Sequence, residues 1–286
     1  MKIIRARAMG MCFGVKDALE AVDTLPNPDE VSIHGELVHN DVALQQIRAR
    51  GVTMTGEEER STLSDRPWLL ISAHGISDPE RERLLNAGKQ LIDTTCPLVK
   101  KVHKAAIELH RDGYHVLVIG QPRHVEVRGI TGSLPDNYTV VERVEDVTQY
   151  PYTRLGVICQ STTAPRKSEI MLAEIRRCNP DADIRHINTI CRPTRLRQEA
   201  VDELLDQVEA LVVVGGSNSN NTREQARLAL ARGIPAVHVQ TADQLDPQWF
   251  RPFQVVGLSA GTSTLDSTIE EVYERMLAIA DELVHA

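Results

Sequence analysis

The sequence predicts an α/β protein built on largely parallel sheets. Short apolar runs alternate with amphipathic stretches of helical period along the chain. Three cysteines, Cys12, Cys96 and Cys191, are separated by 84 and 95 residues, and each stands just before a stretch that reads as a helix. The 286 residues suggest two or three domains at about 100–200 residues each.

The elements follow in order. Residues 68–72 read as a buried strand, residues 78–87 as a polar helix, and residues 91–93 as a strand again. Pro97 suits a first helical turn. Val99, Val102, Ala106 and Leu109 then share one helical face until Gly113 stops it. Strands are expected at 114–119, 155–158, 210–214 and 255–258. Helices are expected at 165–177, 193–208, 221–232 and 265–283. The recurring cysteine turns suggest three α/β units, 1–95, 96–188 and 189–286, one cysteine to each.

Composition narrows the partners. Lys and Arg number 32 against 40 Asp and Glu, a net charge of −8, and aromatic residues are 3 %. Nucleic-acid binding by basic patches and base stacking is not expected. Apolar runs such as 210–214 are far shorter than the roughly 20 residues of a membrane span. The first residues, Met1-Lys2-Ile3-Ile4-Arg5, carry no apolar leader, so a cytoplasmic setting is expected. Cysteines there stay reduced and serve as core, catalytic or metal-binding groups.

A lone cysteine in such a turn is ordinarily an inert core thiol. Three in matching contexts point instead to convergence, since helix N-termini favour thiolate. Cys96 and Cys191 lie in the similar words Asp93-Thr94-Thr95-Cys96-Pro97 and Asn188-Thr189-Ile190-Cys191-Arg192-Pro193. Zinc would want a fourth ligand, commonly from a Cys-x-x-Cys pair that is missing here. An iron–sulfur cluster accepts widely spaced thiolates, and with three of them one iron of a [4Fe–4S] cluster stays open as a Lewis acid. Cys159 and Cys178 lack the turn context and read as structural.

Three histidines, His39, His74 and His124, fall in predicted loops or strand ends, with Glu126 two residues after His124. Three small, polar turns follow strands: Gly215 through Thr222, Ser259-Ala260-Gly261-Thr262-Ser263, and Gln160-Ser161-Thr162-Thr163. Glycine allows close backbone approach, and neutral donors at a helix start can cradle phosphate. None is a P-loop or a dinucleotide fingerprint. Six to eight such donors, at about 1.5–3 kcal/mol each toward a charged group, would hold a phosphate without a lysine cluster.

Taken in order, these words resemble the IspH/LytB family of 4-hydroxy-3-methylbut-2-enyl diphosphate reductases. The resemblance runs from Gly10-Met11-Cys12-Phe13-Gly14-Val15 to Ala260-Gly261-Thr262-Ser263. Between them stand Gly35-Glu36-Leu37-Val38-His39-Asn40, Ala73-His74-Gly75, Asp93-Thr94-Thr95-Cys96-Pro97-Leu98-Val99, His124-Val125-Glu126-Val127, Thr189-Ile190-Cys191 and Arg197-Gln198-Glu199-Ala200. It implies three small α/β units in a trefoil around a [4Fe–4S] cluster held by Cys12, Cys96 and Cys191. It implies reductive dehydroxylation of an allylic diphosphate to isopentenyl and dimethylallyl diphosphate, the last step of the methylerythritol phosphate route to isoprenoids. Glu126, with Ser161 and Thr162, would handle protons. His39, His74, His124, Ser219, Asn220, Asn221 and Ser263 would bind substrate. The electron donor implied is an external protein such as ferredoxin or flavodoxin.

The chain departs from the family pattern at Arg123, at Ser161 in place of a threonine, and at Asn220 in place of a serine. A paralogous reductase of another allylic phosphate is one alternative reading. A non-catalytic redox sensor that binds metal or phosphate is another.

Overall fold

The computed structural model describes residues 1–38, 40–217 and 219–285. Its strands are β1 (Lys2–Arg5), β2 (Val31–His34), β3 (Thr53–Met54), β4 (Trp68–Ile71), β5 (Gln90–Asp93), β6 (His115–Ile119), β7 (Tyr138–Val141), β8 (Arg154–Cys159), β9 (Asp183–His186), β10 (Ala210–Val214), β11 (Ala236–Val239) and β12 (Val255–Ala260). Its α-helices are α1 (Phe13–Asp23), α2 (Asp41–Ala49), α3 (Asp78–Asn86), α4 (Pro97–Arg111), α5 (Val125–Thr131), α6 (Pro165–Cys178), α7 (Arg192–Leu205), α8 (Asn220–Ala231), α9 (Pro247–Phe250) and α10 (Asp266–His285).

The strands form three parallel four-stranded sheets, ordered β3-β2-β4-β5, β7-β6-β8-β9 and β11-β10-β12-β1. One pattern underlies all three. The first strand of each set is central, the second lies outside it, the third lies on its other side, and the fourth lies beyond the third. In the last sheet the fourth place is filled from the far end of the chain: β1 pairs with β12 from Lys2↔Val255 to Arg5↔Leu258.

That pairing ties the start of the chain to its C-terminal sheet. Residues Met1–Lys16 and Val38–Ile47 form a compact unit with Arg192–Ala286, and Asp17–Leu37 with Arg48–Cys191 form the other. The reason is packing on both faces of β1. Ile3 joins the cluster of Val212, Leu258 and Met276, whereas Ile4 joins that of Leu211, Val213 and Leu204.

Strand periodicity builds both faces of each buried strand. Ala210, Val212 and Val214 meet Ile269, Val272 and Met276 of α10, and Leu211 and Val213 meet Val201 and Leu204 of α7. In the other unit Val116 and Val118 meet Val102, Ala106 and Leu109 of α4. Leu117 and Ile119 meet Met171 and Ile175 of α6. A parallel sheet covered on both sides reads as a continuous apolar run, as β6 and β10 do. The helix predicted to reach residue 208 ends at Leu205, because Glu209 N–H already donates to Val255 O as β10 begins. Among the described residues, no helix is long and apolar enough to cross a membrane.

Candidate active site

The sheet order decides where the candidate residues stand within each sheet. In each sheet the first and third strands are neighbours whose connections leave to opposite sides, and ligands bind at the carboxyl ends of such strands. The candidate residues fall there: His74 after β4, His124 and Glu126 after β6, Ser161 and Thr162 after β8, Ser219 to Asn221 after β10, and Ser263 after β12. His39, after β2, lies outside the described residues.

Glu126 is buried, 1 % exposed, in the first turn of α5. Its carboxylate accepts from Ser161 twice, from the backbone N–H at 2.6 Å and from the hydroxyl at 2.8 Å. Burial raises its pKa to about 7, and the two Ser161 hydrogen bonds act in the opposite sense. A carboxyl poised near neutrality suits a general acid. His124 is the N-cap of α5, and its Nδ1 accepts the Glu126 N–H at 3.1 Å. An accepting Nδ1 carries no proton, so the neutral ring bears its hydrogen on Nε2. The sequence placed His124 in a loop or strand end; a seven-residue helix is too short to show a period.

His74 meets His124 edge-on, with ring centroids 5.6 Å apart, and its Nδ1 lies 3.4 Å from the buried Ser72 hydroxyl. The next residue, Gly75, has φ +74°, and a Cβ there would come within 2.9 Å of Thr95 Cγ2. Only glycine takes that turn without strain. Thr162 Oγ1 accepts from Gln160 Nε2 at 3.2 Å.

Each cysteine follows the fourth strand of a sheet and precedes a helix: Cys96 after β5, Cys191 after β9 and Cys12 after β1. Their backbones register against the residues just described. Cys96 N–H donates to Ala73 O, beside His74, at 3.0 Å. Cys191 N–H donates to Ser161 O at 2.9 Å, and Cys12 N–H to Thr262 O, beside Ser263, at 3.0 Å. All three thiols are half-buried, and Cys96 makes no cap hydrogen bond with its side chain. Among the described residues no three His, Cys, Asp or Glu side chains stand grouped as a metal centre. Cys159 instead points into the core, its Sγ 3.1 Å from Ser168 Oγ, and burial pushes its thiol up to about 11. Cys178 Sγ lies 3.6 Å from Glu174.

In the unit containing both chain ends, Ser219 N-caps α8 and accepts from Thr222 N–H at 3.4 Å. Asn220 and Asn221 open the helix, and Ser219, Asn220, Asn221 and Ser263 are all buried. Asn221 Oδ1 accepts from Gln225 Nε2 at 2.9 Å. Among the described residues, Asn221 Nδ2 and Thr222 Oγ1 are buried without a hydrogen-bond partner. Such donors cost free energy unless a ligand completes them. Arg197, 8 % exposed, donates to Gly10 O at 2.9 Å and to Met11 O at 3.1 Å, holding the loop that leads to Cys12. Sequence reasoning missed Gln225, Ser72 and the role of Arg197. The spacing of Gln225 four residues after Asn221 on a helix was the available signal.

Comparison with known proteins identifies relatives along almost the whole chain. The family described as LytB protein matches residues 3–277. A 4-hydroxy-3-methylbut-2-enyl diphosphate reductase of Aquifex aeolicus is 34 % identical over 285 residues, covering 98 % of this chain and 97 % of its own. One from Methylibium petroleiphilum is 35 % identical over 282 residues, covering 97 % and 85 %. The solved structure of the E-1-hydroxy-2-methyl-but-2-enyl-4-diphosphate reductase from Plasmodium falciparum superposes with a TM-score of 0.88 at 27 % identity, covering 96 % of this chain and 87 % of that one. With a match spanning nearly its whole length, the chain belongs to the LytB protein family.

Proposed function

We propose that this protein is a 4-hydroxy-3-methylbut-2-enyl diphosphate reductase. It removes the allylic hydroxyl as water, consuming two electrons and two protons per substrate and forming isopentenyl or dimethylallyl diphosphate. The observation that carries the reading is Glu126: a buried carboxyl with a pKa near 7, gripped by Ser161 at the carboxyl ends of β6 and β8. Membership of the LytB family supports the substrate class.

Cys12, Cys96 and Cys191 would hold a [4Fe–4S] cluster. Their chemistry fits: three thiols, each at a helix start, each tied through its own N–H to a turn that carries candidate substrate residues. When bound, the cluster supplies single electrons and a Lewis-acidic iron for the hydroxyl oxygen. An external protein donor of the ferredoxin or flavodoxin type would feed it in a reducing, cytoplasmic setting.

The remaining work falls to side chains. Protonated Glu126 gives its proton toward the departing oxygen, and the Ser161 N–H and hydroxyl then stabilise the carboxylate left behind. Thr162 adds a hydroxyl beside them. His124 offers Nε2–H as a neutral donor, and His74 and His39 would bind substrate as well. Ser219, Asn220, Asn221 and Ser263 take the diphosphate oxygens through short, dry hydrogen bonds, which salt screens little.

The test is anaerobic. Purified protein with counted iron and sulfide, given a reduced viologen dye and 4-hydroxy-3-methylbut-2-enyl diphosphate, yields the two isomeric diphosphates. Iron without turnover of this substrate would overturn the assignment, and turnover only of another allylic phosphate would move it to a paralogous reductase.

A further inference from the structure

The amide of Asn221 can present either an acceptor or a donor to a ligand, and a rotation about its last bond exchanges them. Only the donor face suits a diphosphate. The surrounding groups choose that face, and the choice can be traced to one backbone atom.

Ala260 O, at the end of β12, can only accept. Gln225 Nε2 lies 3.2 Å from it and therefore must be the donor end of the Gln225 amide. The same Nε2 lies 2.9 Å from Asn221 Oδ1. An N–H₂ group facing both atoms forces Asn221 to turn its oxygen inward. Gln225 Oε1, on the other side, accepts the Ser259 hydroxyl at 2.7 Å, which holds the glutamine in place. Gln225 and Ser259 are 0 % exposed and Asn221 is 2 % exposed, so water does not compete for these bonds. Asn221 Nδ2 is thereby left as the outward donor, buried and unpartnered among the described residues.

We propose that Gln225, anchored by Ala260 O and Ser259, is a positioning residue that locks the Asn221 amide with Nδ2 ready for a diphosphate oxygen. The proposal rests on the diphosphate-site reading above. A glutamine here is otherwise an expensive core residue: it buries an amide in the middle of a helix, where an aliphatic side chain would pack without polar groups to satisfy. Its three hydrogen bonds make the amide direction of Asn221 a property of the fold, present before any ligand arrives. Preorganised donors spare the ordering cost that a freely turning amide imposes on binding.

The test uses inorganic diphosphate as probe and titration calorimetry on the anaerobically purified full chain. Gln225→Met keeps the volume and removes the lock; it raises the dissociation constant about 5- to 30-fold. Asn221→Ala raises it at least as much. The double variant Gln225→Met/Asn221→Ala is no weaker than Asn221→Ala alone, because the glutamine acts only through the asparagine. Ser259→Ala, which leaves Ala260 O to hold the glutamine, gives a smaller rise and serves if Gln225→Met fails to fold. An unchanged affinity in Asn221→Ala would sink the diphosphate-site reading, and this proposal with it. Weakened binding in Asn221→Ala with unchanged binding in both Gln225→Met and Ser259→Ala, or additive losses in the double variant, would overturn the positioning role alone.

Discussion

Ser161 holds Glu126 at both oxygens, with its backbone N–H 2.6 Å from Oε1 and its hydroxyl 2.8 Å from Oε2. The two residues are far apart in sequence and meet because β6 and β8 are adjacent strands whose ends face the same way. Burial favours the neutral acid, and the two donors favour the carboxylate. The balance falls near neutral pH, where a proton can be both kept and given.

Glu126→Gln should preserve the fold, since the glutamine Oε1 can accept the Ser161 N–H and its Nε2 can donate to the Ser161 hydroxyl oxygen. Turnover should fall by roughly 10²–10⁴ with iron content unchanged. Stability should move the other way. The folded pKa of Glu126 is raised, so its unfavourable contribution is absent below the ordinary carboxyl range and complete once pH has risen past about 7. Glu126→Gln should therefore be more stable than the parent by up to roughly 3 kcal/mol at pH 8.5 and little different at pH 5. Denaturant titrations at the two pH values measure this.

Ser161 tunes the pH profile. The parent should lose turnover as pH rises through about 7, as Glu126 gives up its proton. Ser161→Ala removes a bond that favours the carboxylate, so the alkaline limb should shift to higher pH. Ser161→Thr retains the hydroxyl and should leave the limb in place. Identical pH profiles for Ser161→Ala and the parent would uncouple this hydroxyl from the acid.

Cysteine replacement should divide cleanly. Cys12→Ser, Cys96→Ser and Cys191→Ser should each lose most of the iron counted after anaerobic purification. Cys159→Ser and Cys178→Ser should retain it, because Cys159 is packed against Ser168 in the core and Cys178 closes α6 beside Glu174. Equal iron loss from Cys159→Ser would contradict the ligand set.

Arg197 links α7 to the loop before Cys12. Arg197→Met deprives Gly10 O and Met11 O of a charged donor, at about 1.5–3 kcal/mol for each such bond. Melting temperature should drop, and iron should be lost faster in air than from the parent. A melting loss with unchanged iron lability would confine Arg197 to a structural role.

Acid should weaken the fold before carboxylates titrate. His34, His103, His115 and His186 all have lowered pKa values, burial being the largest cause in each. The unfolded chain therefore takes up protons below about pH 6.5 that the folded chain refuses. Stability should fall from pH 7 to pH 5, the opposite trend to that of Glu126. Thermal melts across that range would show it as a steady decline in midpoint.

What the sequence determined by itself is what depends on local pattern. Helices such as α4 and α6 were legible because an amphipathic face and an opening proline declare themselves within about fifteen residues. Cys12, Cys96 and Cys191 stood out because chemically distinct residues recur in like turns, and the ordered motifs identified the family. The short strands β2, β3, β7, β9 and β11 were not legible, since two to four residues carry too little periodicity. Only the tertiary structure decided that β1 completes the sheet of β10 and β12, for parallel pairing is a long-range backbone contact with no local signature. The same holds for the burial that raises Glu126 and for the carbonyl of Ala260 that turns Gln225, and through it Asn221. Those properties belong to neighbours brought together in space, and residue type alone does not carry them.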